Sequence, residues 1–169
     1  NKKLFLFKLQ VLLKIYKKNI HPSSYKLIQY LKESGYHPVI VSAAPHEVIS
    51  LAGEELGIRE TYSTKAEIKS GLYTGKSTTN LHLAQGKAEL IKQIAEKNNV
   101  NLQQCIAMGD AGGDLKMLEI VGLPIVLNPH KTFLNTAEEK GWPIFYHDTI
   151  MERLRIRKKS WQPASEVQR

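Results

Sequence analysis

Apolar residues recur along this chain in short blocks separated by polar turns, and their spacing alternates between helical and extended periods. In the opening stretch Leu6, Leu9, Leu13 and Tyr16 share one helical face, although Leu4–Leu9 also suits a short strand. After His21-Pro22, Ser23 or Ser24 can cap a helix through Leu27, Ile28 and Leu31, which Gly35 stops. Val39–Val41 is the β-branched run expected of a buried parallel strand; Ser42 to Pro45 ends it, and a helix is predicted from His46 to Leu56. Thr61–Ile68 and Leu72–Thr79, around Ser70-Gly71, read as a hairpin or two short strands. Lys87–Asn98 is predicted to be a helix with Leu90, Ile91 and Ile94 on one face. A buried strand is predicted over Gln104–Met108, a short helix over Leu115–Ile120 and a strand over Pro124–Leu127. Thr132–Lys140 then reads as a helix stopped by Gly141, and Ile144–Tyr146 as a last strand. This alternation predicts an α/β fold, a doubly wound and mostly parallel sheet flanked by helices.

Composition narrows the picture. A chain of 169 residues suits one domain with a genuine core. The single cysteine, Cys105, excludes an intrachain disulfide and a Cys-rich zinc module, and fits a reducing, cytoplasmic setting. It falls inside a predicted strand and reads as a core residue. No apolar run approaches the roughly 20 residues of a bilayer span. Net charge is +8, but the excess sits at the ends: Lys2 to Lys18 at the start and Arg153, Arg155, Arg157, Lys158 and Lys159 at the finish. Such ends read first as a solvated face and a basic tail; nucleic acid or an acidic membrane surface is the alternative partner. The six histidines show no metal-ligand spacing, and no GxGxxG or Walker pattern is present. All three aspartates, Asp110, Asp114 and Asp148, lie beyond residue 109.

In a doubly wound sheet ligands bind at the carboxyl ends of the strands. Ser42 directly follows the Val39–Val41 strand, Asp110 follows the Gln104–Met108 strand with Asp114 four residues on, and Lys87 opens the helix between them. This set suits phosphate handling. A hydroxyl and backbone N–H groups hold phosphoryl oxygens, an ammonium neutralises their charge, and a carboxylate can ligate Mg²⁺. Each part alone has a plainer reading: Ser42 as a turn residue, Lys87 as a solvated helix residue, Asp114 as a helix N-cap. Asn128-Pro129 reads as a turn that could also line the site.

The runs IVSAAP at Ile40–Pro45, GK at Gly86-Lys87 and MGDAGGD at Met108–Asp114 resemble motifs two, three and four of the haloacid dehalogenase (HAD) superfamily. GLYTGK at Gly71–Lys76, MLEIVGLPIVLNP at Met117–Pro129 and KGWPI at Lys140–Ile144 are similar to its phosphoserine-phosphatase-like branch. The resemblance covers roughly residues 20 to 147 and implies a HAD-like (Rossmannoid) core with Mg²⁺-dependent phosphatase activity on a small phosphorylated metabolite. It assigns phosphoryl binding to Ser42 and the Ala43 N–H, charge neutralisation to Lys87, and the metal to Asp110. Asp114 would orient the metal's water or Lys87.

The resemblance also implies a nucleophilic Asp in an Asp-x-Asp motif, which forms an aspartyl-phosphate. These residues contain no such motif. Two alignments compete. Residues 1–20 match the end of the family's cap segment, or Phe5–Gln10 takes the place of the motif-one strand with Lys8 and Gln10 where the aspartates stand. Because that strand lies centrally in the family fold, two sheet edges are expected to lack a partner. Relatives also carry Ser or Asn between the motif-four aspartates, where this chain has Ala111, Gly112 and Gly113. The expected organisation is a cap remnant or degenerate strand over 1–20, a core over 21–150 and a basic tail over 151–169. The competing expectation is an inactive HAD-like module that binds phosphate or another anionic partner.

Overall fold

The computed structural model describes residues 20–154, and these divide between His82 and Leu83 into two compact units. In the first unit, helix α1 (Pro22–Glu33) starts with proline at a position where its missing N–H costs nothing. The cap is neither serine: the His21 ring accepts the Ser23 N–H at 3.2 Å. Gly35 ends this segment with φ +82, a conformation open to glycine without strain. Strand β1 (Val39–Pro45), helix α2 (His46–Leu56) and strand β2 (Glu60–Thr64) form a βαβ unit, with β1 and β2 parallel. Gly53 lets α2 approach β2, since a methyl there would lie 2.6 Å from Thr61 Cγ2.

The run read as one extended piece, Thr61–Ile68, is divided. Its first part pairs with β1, and after Lys65 strand β3 (Ala66–Lys69) turns into an antiparallel hairpin with β4 (Leu72–Ser77). Ser70 and Gly71 both have positive φ, 51 and 77, the geometry of a two-residue hairpin turn.

The second unit holds helix α3 (Ala84–Lys97), strand β5 (Ile106–Gly109), the short helix α4 (Leu115–Leu118), strand β6 (Leu123–Leu127), helix α5 (Lys131–Glu139) and strand β7 (Ile144–Phe145). The three strands are parallel in the order β5-β6-β7. Its core is tightly closed: Leu118, Ile125, Val126 and Ala137 have no exposed surface, and Leu123 and Phe133 only 2%.

Two expectations about the strand before Asp110 need correction. Leu102–Gln104 is a 3-10 turn capped by Asn101, whose side chain accepts the Gln103 N–H at 2.9 Å, so the strand starts two residues late. Cys105 therefore precedes β5 and is half-buried against the core.

The boundary drawn at residue 150 also moves. Residues 150–154 are helical, Ile150 and Leu154 are fully buried, and Arg153 donates to the Ile144 carbonyl at 3.3 Å. Of the first residues read as tail, Leu154 thus joins the core while Glu152 and Arg153 stay exposed; Arg155–Lys159 lie outside the described residues, as does the 1–19 segment with its two alignments. Among the described residues β1 pairs only with β2, and β5 only with β6. No helix among them is long and apolar enough to cross a membrane.

Candidate functional site

Lys87, Asp110 and Asp114 come together in the second unit. Helix α3 begins at Ala84, three residues earlier than expected, so Lys87 closes the first turn rather than opening the helix. Its ammonium Nζ lies 2.6 Å from Asp114 Oδ1, with both side chains largely buried at 12% and 9% exposure. Asp114 starts α4 without capping it. Its second oxygen, Oδ2, instead accepts the backbone N–H of Asp110 at 3.1 Å. The plain N-cap reading of Asp114 is therefore replaced: both carboxylate oxygens are committed to holding Lys87 and the end of β5.

Gly109 makes this possible. A methyl on it would lie 2.5 Å from Asp114 Cβ and 2.7 Å from its carboxyl carbon, so only glycine admits the carboxylate. At Gly112 and Gly113 an added carbon would meet open space, so nothing in the packing requires glycine there.

Asp110 sits at the surface where β5 ends, and its backbone carbonyl accepts the His130 N–H at 2.8 Å. Partial burial pushes its carboxyl pKa up, the Asp114 charge adds to this, and Lys87 opposes it. A carboxylate raised by a like charge gains from a nearby cation. Among the described residues, no three His, Cys, Asp or Glu side chains are placed to hold a metal together. Mg²⁺ asks for less, one or two carboxylates with water and phosphate completing the shell, and Asp110 fits that role.

Ser42 and Ala43 belong to the first unit. They fall in a bulge of β1 between Val41 and Pro45; Ser42 Oγ accepts the Ala44 N–H at 3.1 Å, and Ala43 is exposed. Asn128 takes its plainer reading: φ is +46 and its Oδ1 accepts the His147 N–H at 3.2 Å. Sequence reasoning missed His46, which opens α2 with Nδ1 3.0 Å from the buried Ser63 hydroxyl. Its only sequence signal was its place four residues after Ser42.

A family profile for haloacid dehalogenase-like hydrolases matches residues 7–119, two-thirds of the chain. This chain belongs to that family. Within it the chain sides with the phosphoserine-phosphatase-like branch. It is 31% identical over 146 residues to a phosphoserine phosphatase of Streptomyces coelicolor, covering 86% of this chain and 35% of that protein. A phosphoserine phosphatase of Mycobacterium tuberculosis is 29% identical over 119 residues, covering 70% of this chain and 39% of the relative. The chain thus spans less than half the length of these relatives. The HAD fold is also seen in a substrate-bound phosphoserine phosphatase structure, at TM-score 0.64 and 23% identity, covering 76% of this chain and 61% of that one.

Proposed function

We propose that this chain forms the phosphoryl- and Mg²⁺-binding part of a HAD phosphatase acting on a small phosphorylated metabolite such as phosphoserine. The observation that carries this reading is the buried Lys87–Asp114 pair, which fixes an ammonium beside Asp110 at the carboxyl end of β5. A cation held in place by its counter-charge needs no reorganisation when phosphate arrives. In the second unit Lys87 would neutralise phosphoryl charge; in the first, the Ser42 hydroxyl and the Ala43 N–H would be donors to phosphoryl oxygens. Asp110 would hold Mg²⁺, which when bound supplies charge stabilisation at the phosphoryl oxygens. Asp114 positions Lys87. A cytoplasmic setting accords with the lone Cys105.

The family's attacking group is an aspartate that becomes an aspartyl-phosphate. The first aspartate here is Asp110, beside the paired Asp114, so these residues bind and orient while a carboxylate outside them attacks. A second reading, a module that binds phosphate or another anionic partner without hydrolysis, is favoured by the same aspartate-free stretch.

The test measures both binding and phosphate release with O-phosphoserine and Mg²⁺. This chain is expected to bind inorganic phosphate and O-phosphoserine, to lose that binding in Lys87→Ala, and to release phosphate only at background rate. No binding would overturn the site. Turnover that disappears in Asp110→Ala would overturn the placing of the nucleophile outside these residues. Hydrolysis by a longer form carrying an Asp-x-Asp motif separates the first reading from the second.

A further inference from the structure

We propose that His46 is a positioning residue for the phosphoryl-binding turn, clamping the Ser42–Ala44 bulge to the strand opposite. This rests on the reading of Ser42 given above. The β1–β2 ladder pairs Val41 with Tyr62 and Pro45 with Thr64. Ser42, Ala43 and Ala44 therefore stand opposite a single residue of β2, Ser63. A bulge of this kind disrupts the local ladder and aims its residues away from the strand.

Ser63 is 3% exposed, and its hydroxyl lies 3.0 Å from His46 Nδ1. His46 directly follows Pro45, so the contact closes a ring through the bulge, Pro45, the imidazole and β2. Ser50, one helical turn on, places its hydroxyl 3.3 Å from Nε2 and 3.5 Å from Nδ1, a further polar contact on the same ring. The His46–Ser63 bond is partly buried, with its Ser63 end out of solvent, which strengthens it relative to a fully exposed one. It acts on the segment that presents the Ser42 hydroxyl and the Ala43 amide; the imidazole itself need not touch phosphate.

Asparagine can present a polar atom near the place of Nδ1, whereas leucine keeps bulk and leaves Ser63 without its partner. The test compares the full chain with His46→Leu, His46→Asn and Ser63→Ala by two readouts. The first is amide hydrogen exchange at Ala43 and Ala44, which does not depend on ligand. It is expected to be about fivefold to tenfold faster in His46→Leu, from loss of a roughly 1 kcal/mol bond, and to return towards wild type in His46→Asn. Exchange in α1 should stay unchanged in all variants.

The second readout is the Kd for inorganic phosphate, expected to weaken by a similar factor in His46→Leu and to recover in His46→Asn. Should His46→Leu fail to fold, Ser63→Ala removes the same bond with less disturbance and must show the same local acceleration. Equal exchange at Ala43 and Ala44 in wild type and Ser63→Ala would overturn the proposal. So would a loss in His46→Leu that asparagine does not restore. If wild type binds no phosphate while the exchange pattern holds, the clamp stands and the assignment of Ser42 falls.

Discussion

None of the seven residues of β1 is buried, whereas Leu123, Ile125 and Val126 of β6 are at most 2% exposed, although both strands are rich in Val, Ile and Leu. The difference follows from neighbours. Strand β6 is paired on both sides, by β5 and β7, while β1 has one partner among the described residues. The two units accordingly hold their site residues by different means. In the second unit Lys87 and Asp114 form a short, largely buried ion pair, so the two fix each other electrostatically. In the first, Ser42 sits in a half-exposed bulge shaped by neutral hydrogen bonds. The charged pair sits where solvent is largely excluded; the hydroxyl sits in a partly exposed break of the β1–β2 ladder.

The most severe break of this contrast is Lys87→Met. It leaves Asp114 buried without a counter-charge and should cost about 3–5 kcal/mol in urea unfolding, with much of the loss recovered in Lys87→Met/Asp114→Asn. A loss below 1 kcal/mol would mean that the pair is not part of the frame.

Gly109→Ala comes next. The added carbon collides with the Asp114 side chain, and a cost of about 1–3 kcal/mol with weaker phosphate binding is expected. Gly113→Asn, facing open space, should change stability by no more than about 0.5 kcal/mol. In the first unit the corresponding break is Ser63→Ala, which removes one neutral bond and should cost about 1 kcal/mol.

The smallest effect, opposite in sign, is Asp110→Asn. Burial and the Asp114 charge raise the folded-state carboxyl pKa above its ordinary value of 3.8. The folded protein therefore binds this proton more tightly than the unfolded chain, and ionised Asp110 lowers stability as pH rises through the folded value. Metal-free Asp110→Asn should be slightly more stable than wild type at neutral pH. Thermal melts at a series of pH values should show that gain shrinking as pH falls from the folded value towards 3.8, and absent below it.

Much of this arrangement is legible in the sequence, for physical reasons that differ by region. Val39–Val41 and Pro124–Leu127 are readable as strands because apolar runs bounded by turn residues have few other uses. The GD pair and the aspartate four residues on mark the strand-end site, and the structure adds why Gly109 must be glycine. What local pattern does not carry is the choice of partner. The extended run Thr61–Ile68 gives no sign that Glu60–Thr64 will pair with β1 and Ala66–Lys69 with β4. Nor does it show that His46 meets Ser63, 17 positions away, because that contact depends on the bulge in the β1–β2 register. The Asn101 cap that turns Leu102–Gln104 away from the strand is likewise a side-chain choice that apolar periodicity does not see.

The proposed cation and phosphate site joins Asp110 to the Lys87–Asp114 pair. It is tested most directly by titrating the chain with Mn²⁺, followed by its electron paramagnetic resonance signal, with and without inorganic phosphate. The expected result is Mn²⁺ binding that phosphate strengthens, that Mg²⁺ competes away, and that Asp110→Asn removes. Phosphate binding of equal strength in Asp110→Asn and wild type, with no dependence on the metal, would contradict it.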